Sequence, residues 1–275
     1  MRNFFLSILL LSGSFIKAQT PTLMWAHRMA GELNLHANSM VVDLSGNVYT
    51  TGSFTGTLDF DPDPMNVFTL TNSSSAMRDA FVMKMNAAGQ FQWAIRIGGA
   101  GDDNGSCIQL DPQGNVVIAG IFAGTVDFDP GVGTYNLASN DGIFLLTLSP
   151  SANFVRAAHF ESTGTQTNPS LSIDLLGNMY VSGEFTGQTD FDPDTAALAT
   201  YYLTASTTSS DMFIVKLNDT GHFIRAIQLG STSGQELIKN LKADPFGNIY
   251  LAGRYFTSTL DLDPGPGIAN LPNAP

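Results

Sequence analysis

Apolar residues in this chain fall in short runs broken by glycine, asparagine and proline, and no stretch sustains a helical period. Runs such as VYTTGSF (48–54), FVMKM (81–85) and FIVKL (213–217) are rich in β-branched and aromatic residues and predict strands. Between them recur turns of the form Asp-x-x-Gly-Asn, as at Asp43–Asn47, where glycine supplies a positive φ and asparagine tolerates one. The pattern predicts an all-β protein with almost no helix.

The runs repeat. VVDLSGNVYTTGSFTGTLDFDP (41–62), QLDPQGNVVIAGIFAGTVDFDP (109–130), SIDLLGNMYVSGEFTGQTDFDP (172–193) and KADPFGNIYLAGRYFTSTLDLDP (242–264) align on Asp43, Asp111, Asp174 and Asp244, which lie 68, 63 and 70 residues apart. A second set aligns as DAFVMKMNAAGQFQWAIRIGG (79–99), DGIFLLTLSPSANFVRAAHF (141–160) and DMFIVKLNDTGHFIRAIQLGS (211–231). A partial copy, LMWAHRMAG (23–31), stands ahead of the first unit. Each unit predicts four strands: a short run before the aspartate, such as Met40–Val42 or Leu171–Ile173, the run after the Gly-Asn turn, the FVMKM type and the QFQWAIRI type. One such sheet leaves a face bare, and stacking tandem copies covers it, as in propeller blades. The repeat cores are 41–99, 109–160, 172–231 and a partial 242–275, within a domain over 19–275. They amount to about three and a half blades of a β-propeller that is expected to stop before it closes. The segments after the Asp-Phe-Asp-Pro motif, 63–79 and 194–211, read as loops beyond a minimal blade. Alanine recurs after the slot held by Trp25, Trp93, Arg156 and Arg225, which predicts close approach of neighbouring sheets.

The D-x-x-G-N-V-Y-x-x-G core, present four times in phase, and the G-G-x-G-D-D segment at Gly98–Asp103 resemble the bacterial seven-bladed β-propeller repeat family. The G-T-x-D-F-D-P segment resembles a variant of it in exported proteins. The resemblance implies a secreted or surface-attached propeller and no defined activity.

Charge narrows the partners. Charged residues make up 13% of the chain and the net charge is −12, which repels nucleic-acid phosphates and anionic lipid surfaces. Arg2, the apolar stretch Phe4–Leu11 and the small Ala18 form a signal-peptide pattern over 1–18, so the mature chain is expected to begin at Gln19 outside the cytoplasm. No other stretch reads as a membrane span. The single cysteine, Cys107, shares its repeat slot with Ser39, Ser170 and Asn240 and reads as structural.

The acidic motif is the sharpest candidate site. It comprises Asp59, Asp61 and Asp63, then Asp127 and Asp129, then Asp190, Asp192 and Asp194, then Asp261 and Asp263. On a strand the paired carboxylates share a face and Phe60, Phe128, Phe191 or Leu262 points inward. Two readings stand: a structural turn in which aspartate accepts backbone hydrogen bonds, and a Ca²⁺ site built on carboxylate oxygens. Asp43, Asp111, Asp174 and Asp244 read as turn residues. The histidines, His27, His36, His159 and His222, lack metal-ligand spacing, and the slots of His159 and His222 read as solvent-facing. Trp25 and Trp93 offer a sugar-stacking platform or a packing role. No nucleophile elbow, phosphate loop or acid–base constellation is present in the sequence, so no catalytic residue is assigned. The leading expectation is a non-catalytic scaffold for surface binding or adhesion, with a protein or glycan ligand and an open edge prone to self-association. A purely structural repeat module of a longer surface protein and a secreted lyase or hydrolase acting on polysaccharide are the alternatives.

Overall fold

The computed structural model describes residues 23–29, 34–194, 200–205, 210–230, 236–255, 259–263, 267 and 269–272. The expected signal segment, 1–18, lies outside them. Among the described residues there is no helix; every regular element is a strand.

Blade one orders β1 (Leu35–Val42), β2 (Val48–Phe54), β5 (Asp79–Met85) and β6 (Phe91–Ile97) as an antiparallel sheet, with a short hairpin of β3 (Thr57–Asp59) and β4 (Thr69–Thr71) between β2 and β5. Blade two holds β7 (Asn104–Leu110), β8 (Val116–Asp127), β9 (Asn136–Leu148) and β10 (Phe154–His159); here the hairpin is continuous with its long middle strands. Blade three joins β12 (Gln166–Ile173), β13 (Met179–Phe185), β16 (Asp211–Leu217) and β17 (Phe223–Leu229). Its hairpin, β14 (Gln188–Asp190) and β15 (Tyr202–Thr204), is extended by β11 (Glu161–Ser162). Blade four has β18 (Glu236–Ala243) paired with β19 (Ile249–Tyr255), and a hairpin of β20 (Thr259–Asp261) and β21 (Asn270–Pro272). The first strands, β1, β7, β12 and β18, pack against one another in succession. The architecture is an all-β partial propeller.

Alternation explains the stacking. In β5, Ala80 and Val82 face blade two and pack with Ile118 and Phe144, whereas Phe81, Met83 and Met85 face the other way, against Trp25 and Met29 of the segment before blade one. The same interleaving joins blade two to blade three through Leu145 and Phe213, and blade three to blade four through Ile214 and Leu241. Each blade thus supplies half of two cores. Phe54, Phe60 and Phe81 form edge-to-face and tilted contacts at 5.2–6.4 Å, and Phe185, Phe191 and Phe213 repeat the arrangement at 4.6–6.1 Å. A fully buried phenylalanine contributes roughly 1.5–3 kcal/mol, so these repeated triplets are a main source of stability.

The turns behave as the sequence predicts. Asp43 Oδ1 accepts the backbone N–H of Ser45 (2.9 Å) and Asn47 (2.8 Å), and Oδ2 accepts Asn47 Nδ2 (2.7 Å). Asp111, Asp174 and Asp244 repeat the set. Burial works to raise the Asp174 pKa, but hydrogen bonds from Asn178, Tyr180 and Leu176 outweigh it and hold the carboxyl below its usual range.

Four sequence expectations need correction. The first strands are longer than the apolar runs Met40–Val42 and Leu171–Ile173, because each contains a bulge, at Ala37/Ser39 in β1 and Thr167/Ser170 in β12, that breaks the alternation. The segments after the Asp-Phe-Asp-Pro motif are not plain loops; they carry the second strand of each short hairpin. Asp141 does not match Asp79. Phe144 pairs with Gly120 as Phe81 pairs with Gly52, so Gly142 holds that slot and Asp141 is an extra residue at φ 98°. His159 is not solvent-facing: it packs edge-on against Phe122 at 5.7 Å, and burial pulls its pKa down.

Candidate interaction site at the blade boundaries

The acidic motif sits at the end of each short hairpin. Asp59 and Asp190 are the last residues of β3 and β14, Asp127 ends β8 and Asp261 ends β20. Phe60, Phe128 and Phe191 are buried just beyond, while Leu262 is exposed. Asp59 Oδ1 accepts the backbone N–H of Asp61 (3.1 Å) and Phe68 (2.9 Å), and Asp127 Oδ1 that of Asp129 (3.0 Å) and Tyr135 (2.8 Å). Asp190 does the same for Asp192 and Tyr201, and Asp261 for Asp263 and Ala269. The second aspartate starts another turn: Asp61 accepts from Asp63 N (3.0 Å), Asp129 from Gly131 N (2.8 Å) and Asp192 from Asp194 N (3.1 Å). Asp63 continues with Met65 N and Asn66 Nδ2. Asp59, Asp61, Asp63, Asp127, Asp129, Asp190, Asp192 and Asp261 therefore spend Oδ1 on a backbone amide, in keeping with the turn reading, whereas Asp194 faces the ring of His222. Among the described residues no group of three or more His, Cys, Asp or Glu is arranged to hold a metal ion.

These turns form one wall of a groove at the blade boundary. In blade one, Asp61, Asp63 and Asn66 face Gln90 and Gln92 of the β5–β6 hairpin and His27 of the preceding segment across a cavity of about 600 Å³. In blade three, Pro193 and Asp194 meet Thr220 and Gly221, with Tyr135 and Arg156 of blade two, around about 210 Å³. Asp194 Oδ2 lies within hydrogen-bond distance of His222 Nδ1, at 2.7 Å. The hairpin aromatic stacks on the fourth strand in each case: Phe68 on Phe91, Tyr135 on Phe154 and Tyr201 on Phe223, at 4.9–5.0 Å.

The slot of Trp25, Trp93 and Arg156 locks one blade to the next. Trp25 Nε1 donates to the Ala87 carbonyl (3.1 Å), Trp93 Nε1 to that of Pro150 (3.2 Å) and Arg156 Nη1 to that of Asp219 (2.9 Å). The three acceptors are equivalent turn residues of successive blades. The tryptophans serve packing, and the donor chemistry shared by indole and guanidinium is the signal that residue identity conceals. The Cys107 slot links first strands in the same way. Cys107 Sγ donates to the Pro169 carbonyl (3.1 Å), and Ser39 and Ser170 Oγ accept from Ile108 N and Leu241 N. Burial raises the Cys107 pKa, so the thiol is not activated.

The Gly98–Asp103 segment builds the boundary of blades one and two. Asp103 is buried; its Oδ2 accepts Gly99 N (2.8 Å) and its Oδ1 accepts Ala123 N (3.2 Å). Burial, aided by Asp79 and Asp102, pushes its carboxyl up to about 7 against those two amides. Arg78 holds Asp102, and Arg96 Nη1 reaches the buried Asp79 at 2.9 Å. The hydrogen bonds of this group join strand ends.

No family model matches the chain. It is similar to an uncharacterised WD repeat-containing protein of Acanthamoeba polyphaga mimivirus, 27% identical over 196 residues. The match covers 64% of this chain and 14% of the relative. Repeated blades and a WD-repeat relative agree on a propeller-like repeat protein.

Proposed function

We propose that the chain is an exported, non-catalytic propeller scaffold of the bacterial seven-bladed repeat type that binds a protein or glycan ligand at a surface. The observation that carries this reading is the recurrence of the boundary groove. Two boundaries place an acidic turn, a hairpin turn and residues of the preceding segment or blade around an open cavity with polar and apolar walls. The Asp43-type turns and the strand-linking Ser39, Cys107 and Ser170 are spent on structure and lie outside both grooves, which leaves the groove walls for a ligand. Amide, hydroxyl and carboxylate groups beside an aromatic edge suit a polyol or a basic peptide. Recurring grooves on one rigid body raise avidity without strengthening any single contact. The WD repeats of the viral relative fit a repeat scaffold.

The test is binding of the full chain to glycan and extracellular-protein arrays, followed by Gln90→Ala with Gln92→Ala at the larger groove. A ligand whose binding weakens in that double variant supports the reading. Binding that ignores the groove, or turnover of a polysaccharide, overturns it.

A further inference from the structure

The boundary between blades two and three departs from the repeat where its groove opens. At the boundary of blades one and two, Tyr49 and its cross-strand partner Lys84 pack with Trp93. Lys84 Nζ lies 4.9 Å from the centre of the Tyr49 ring, and that ring is 6.1 Å from Trp93. Tyr180 and Lys216 repeat the pair in blade three, at 5.0 Å. Blade two has Val117 and Thr147 in those places, and Arg156 in that of Trp93. These smaller side chains leave the cavity of about 210 Å³ that Thr147 and Arg156 line. Both walls come from blades with all four strands. A cavity of roughly 150 Å³ already admits benzene, so one six-membered ring fits.

The walls carry opposite charges that form no ion pair with each other. Among the described residues no carboxylate lies within ion-pair distance of Arg156. A guanidinium has five N–H groups. Here Nη1 donates to the Asp219 carbonyl, and Nη2 reaches Met179 Sδ, a weak acceptor, at 3.5 Å. Burial lowers the Arg156 pKa, and Asp111 and Asp219 oppose that through their charge. A desolvated guanidinium with donors to spare favours a carboxylate held by two parallel bonds. Asp194, on the blade-three side, already accepts from His222 Nδ1, so hydroxyl donors suit it better than a second cation. Tyr135 and Thr220 add hydroxyls, and Leu145, Met179 and Leu217 add an apolar surface.

We propose that this cavity binds one ring of an acidic sugar, a uronate. Its carboxylate lies on Arg156, its hydroxyls on Asp194 and Thr147, and its C–H face on Leu145 and Met179. The proposal rests on the groove reading and gives the smaller groove its ligand class.

The probes are sodium glucuronate and its neutral counterpart glucuronamide, titrated against the full chain and followed by ligand-observed NMR. Saturable glucuronate binding is expected, with a dissociation constant on the order of 1 mM, and glucuronamide is expected to bind about 10-fold more weakly or worse. Arg156→Gln is expected to erase that preference, whereas mere loosening of the blades would weaken both sugars alike. Val117→Tyr with Thr147→Lys installs the pair of blades one and three, and is expected to abolish binding while the chain still melts cooperatively. Should that double variant fail to fold, the Arg156→Gln comparison decides alone. Equal affinity for the two sugars, a preference that survives Arg156→Gln, binding that survives in the folded double variant, or no saturation by about 20 mM glucuronate overturns the proposal. So does binding of leucine in place of glucuronate, which would make the ligand a zwitterion. Array binding that depends on Gln90 and Gln92 alongside any of these results leaves the groove reading standing and removes only the acidic sugar.

Discussion

The second glycine of each repeat, at Gly52, Gly120, Gly183 and Gly253, allows a strong test of how the blades are built. It lies opposite the bulge in the first strand, whose carbonyl turns toward it. A Cβ on Gly120 would stand 2.2 Å from Asn104 O and 2.5 Å from two ring carbons of Phe144. Ordinary carbon contacts begin near ~3.5 Å. The carbonyl belongs to a paired strand and the ring is fully buried, so neither can retreat without breaking β7–β8 pairing or the core. Overpacking usually costs about 1–3 kcal/mol; a clash with backbone and ring together places Gly120→Ala at the upper end or beyond, ~3–5 kcal/mol. At ~2–4 °C per kcal/mol for a chain of this size, the melting temperature is expected to fall by roughly 10 °C. The control lies in the same strand. Gly124 has φ +79° but nothing within 4 Å of its Cβ position, so Gly124→Ala bears only the left-handed backbone cost of ~1–2 kcal/mol. Urea and thermal unfolding of both full-length variants, followed by far-ultraviolet circular dichroism, measure the difference. A Gly120→Ala variant as stable as Gly124→Ala would refute the claim that carbonyl and ring dictate this glycine.

Other expectations follow from the same geometry. Arg156→Ala loses a charged donor to the Asp219 carbonyl and is expected to cost ~2 kcal/mol. Trp93→Phe is expected to cost ~1 kcal/mol or less, because Lys84 Nζ also donates to the Pro150 carbonyl at 3.3 Å; equal costs in urea titrations would count against the latch. Native Asp103, raised to about 7, holds a proton that the unfolded chain releases near pH 4. Stability is therefore expected to fall as pH rises between about 4 and about 7, by ~4 kcal/mol at most, and to level off above. Asp103→Asn should flatten that slope in thermal melts, and an unchanged slope would assign it to other groups. Most carboxylates of the acidic turns spend Oδ1 on a backbone amide, so 2 mM calcium is expected to leave the melting temperature unmoved. A site of ~0.2 mM affinity would add ~1.4 kcal/mol at that concentration, and a rise of several degrees would restore the cation reading.

Much of the fold is legible in the sequence because its repeats put the same side chain to the same use. The Asp43-type turn works through the chemistry of one residue, and all four copies keep that residue. The bulges in β1 and β12 are hidden because an extra residue shifts the alternation that marks a strand. The β3–β4 type hairpins are hidden because their strands are three residues long, too short for a period to show. Asp141 misleads because an insertion before β9's inner half shifts an aspartate into apparent register. The groove is the least legible part. It is made from residues of two blades, and only the stacking brings His27 toward Asp63 or Tyr135 toward Asp194.

That division between what repeats and what does not bears on function. The boundary bonds from Trp25, Trp93, Arg156 and Cys107 all end on backbone carbonyls, which no substitution removes. The donor can change from indole to guanidinium while the blades keep their spacing. Groove positions are free of that demand and differ between copies. His27 and Ala158 are equivalent, and so are Gln90 and His222. Arg156 stands beside Asp194 in the smaller groove, whereas Asp61 and Asp63 line the larger one with no lysine or arginine among the residues around it. The larger groove thus presents a more negative wall than the smaller one. If both bind ligand, the larger should prefer the more basic of two related ligands, and added salt should weaken that groove first.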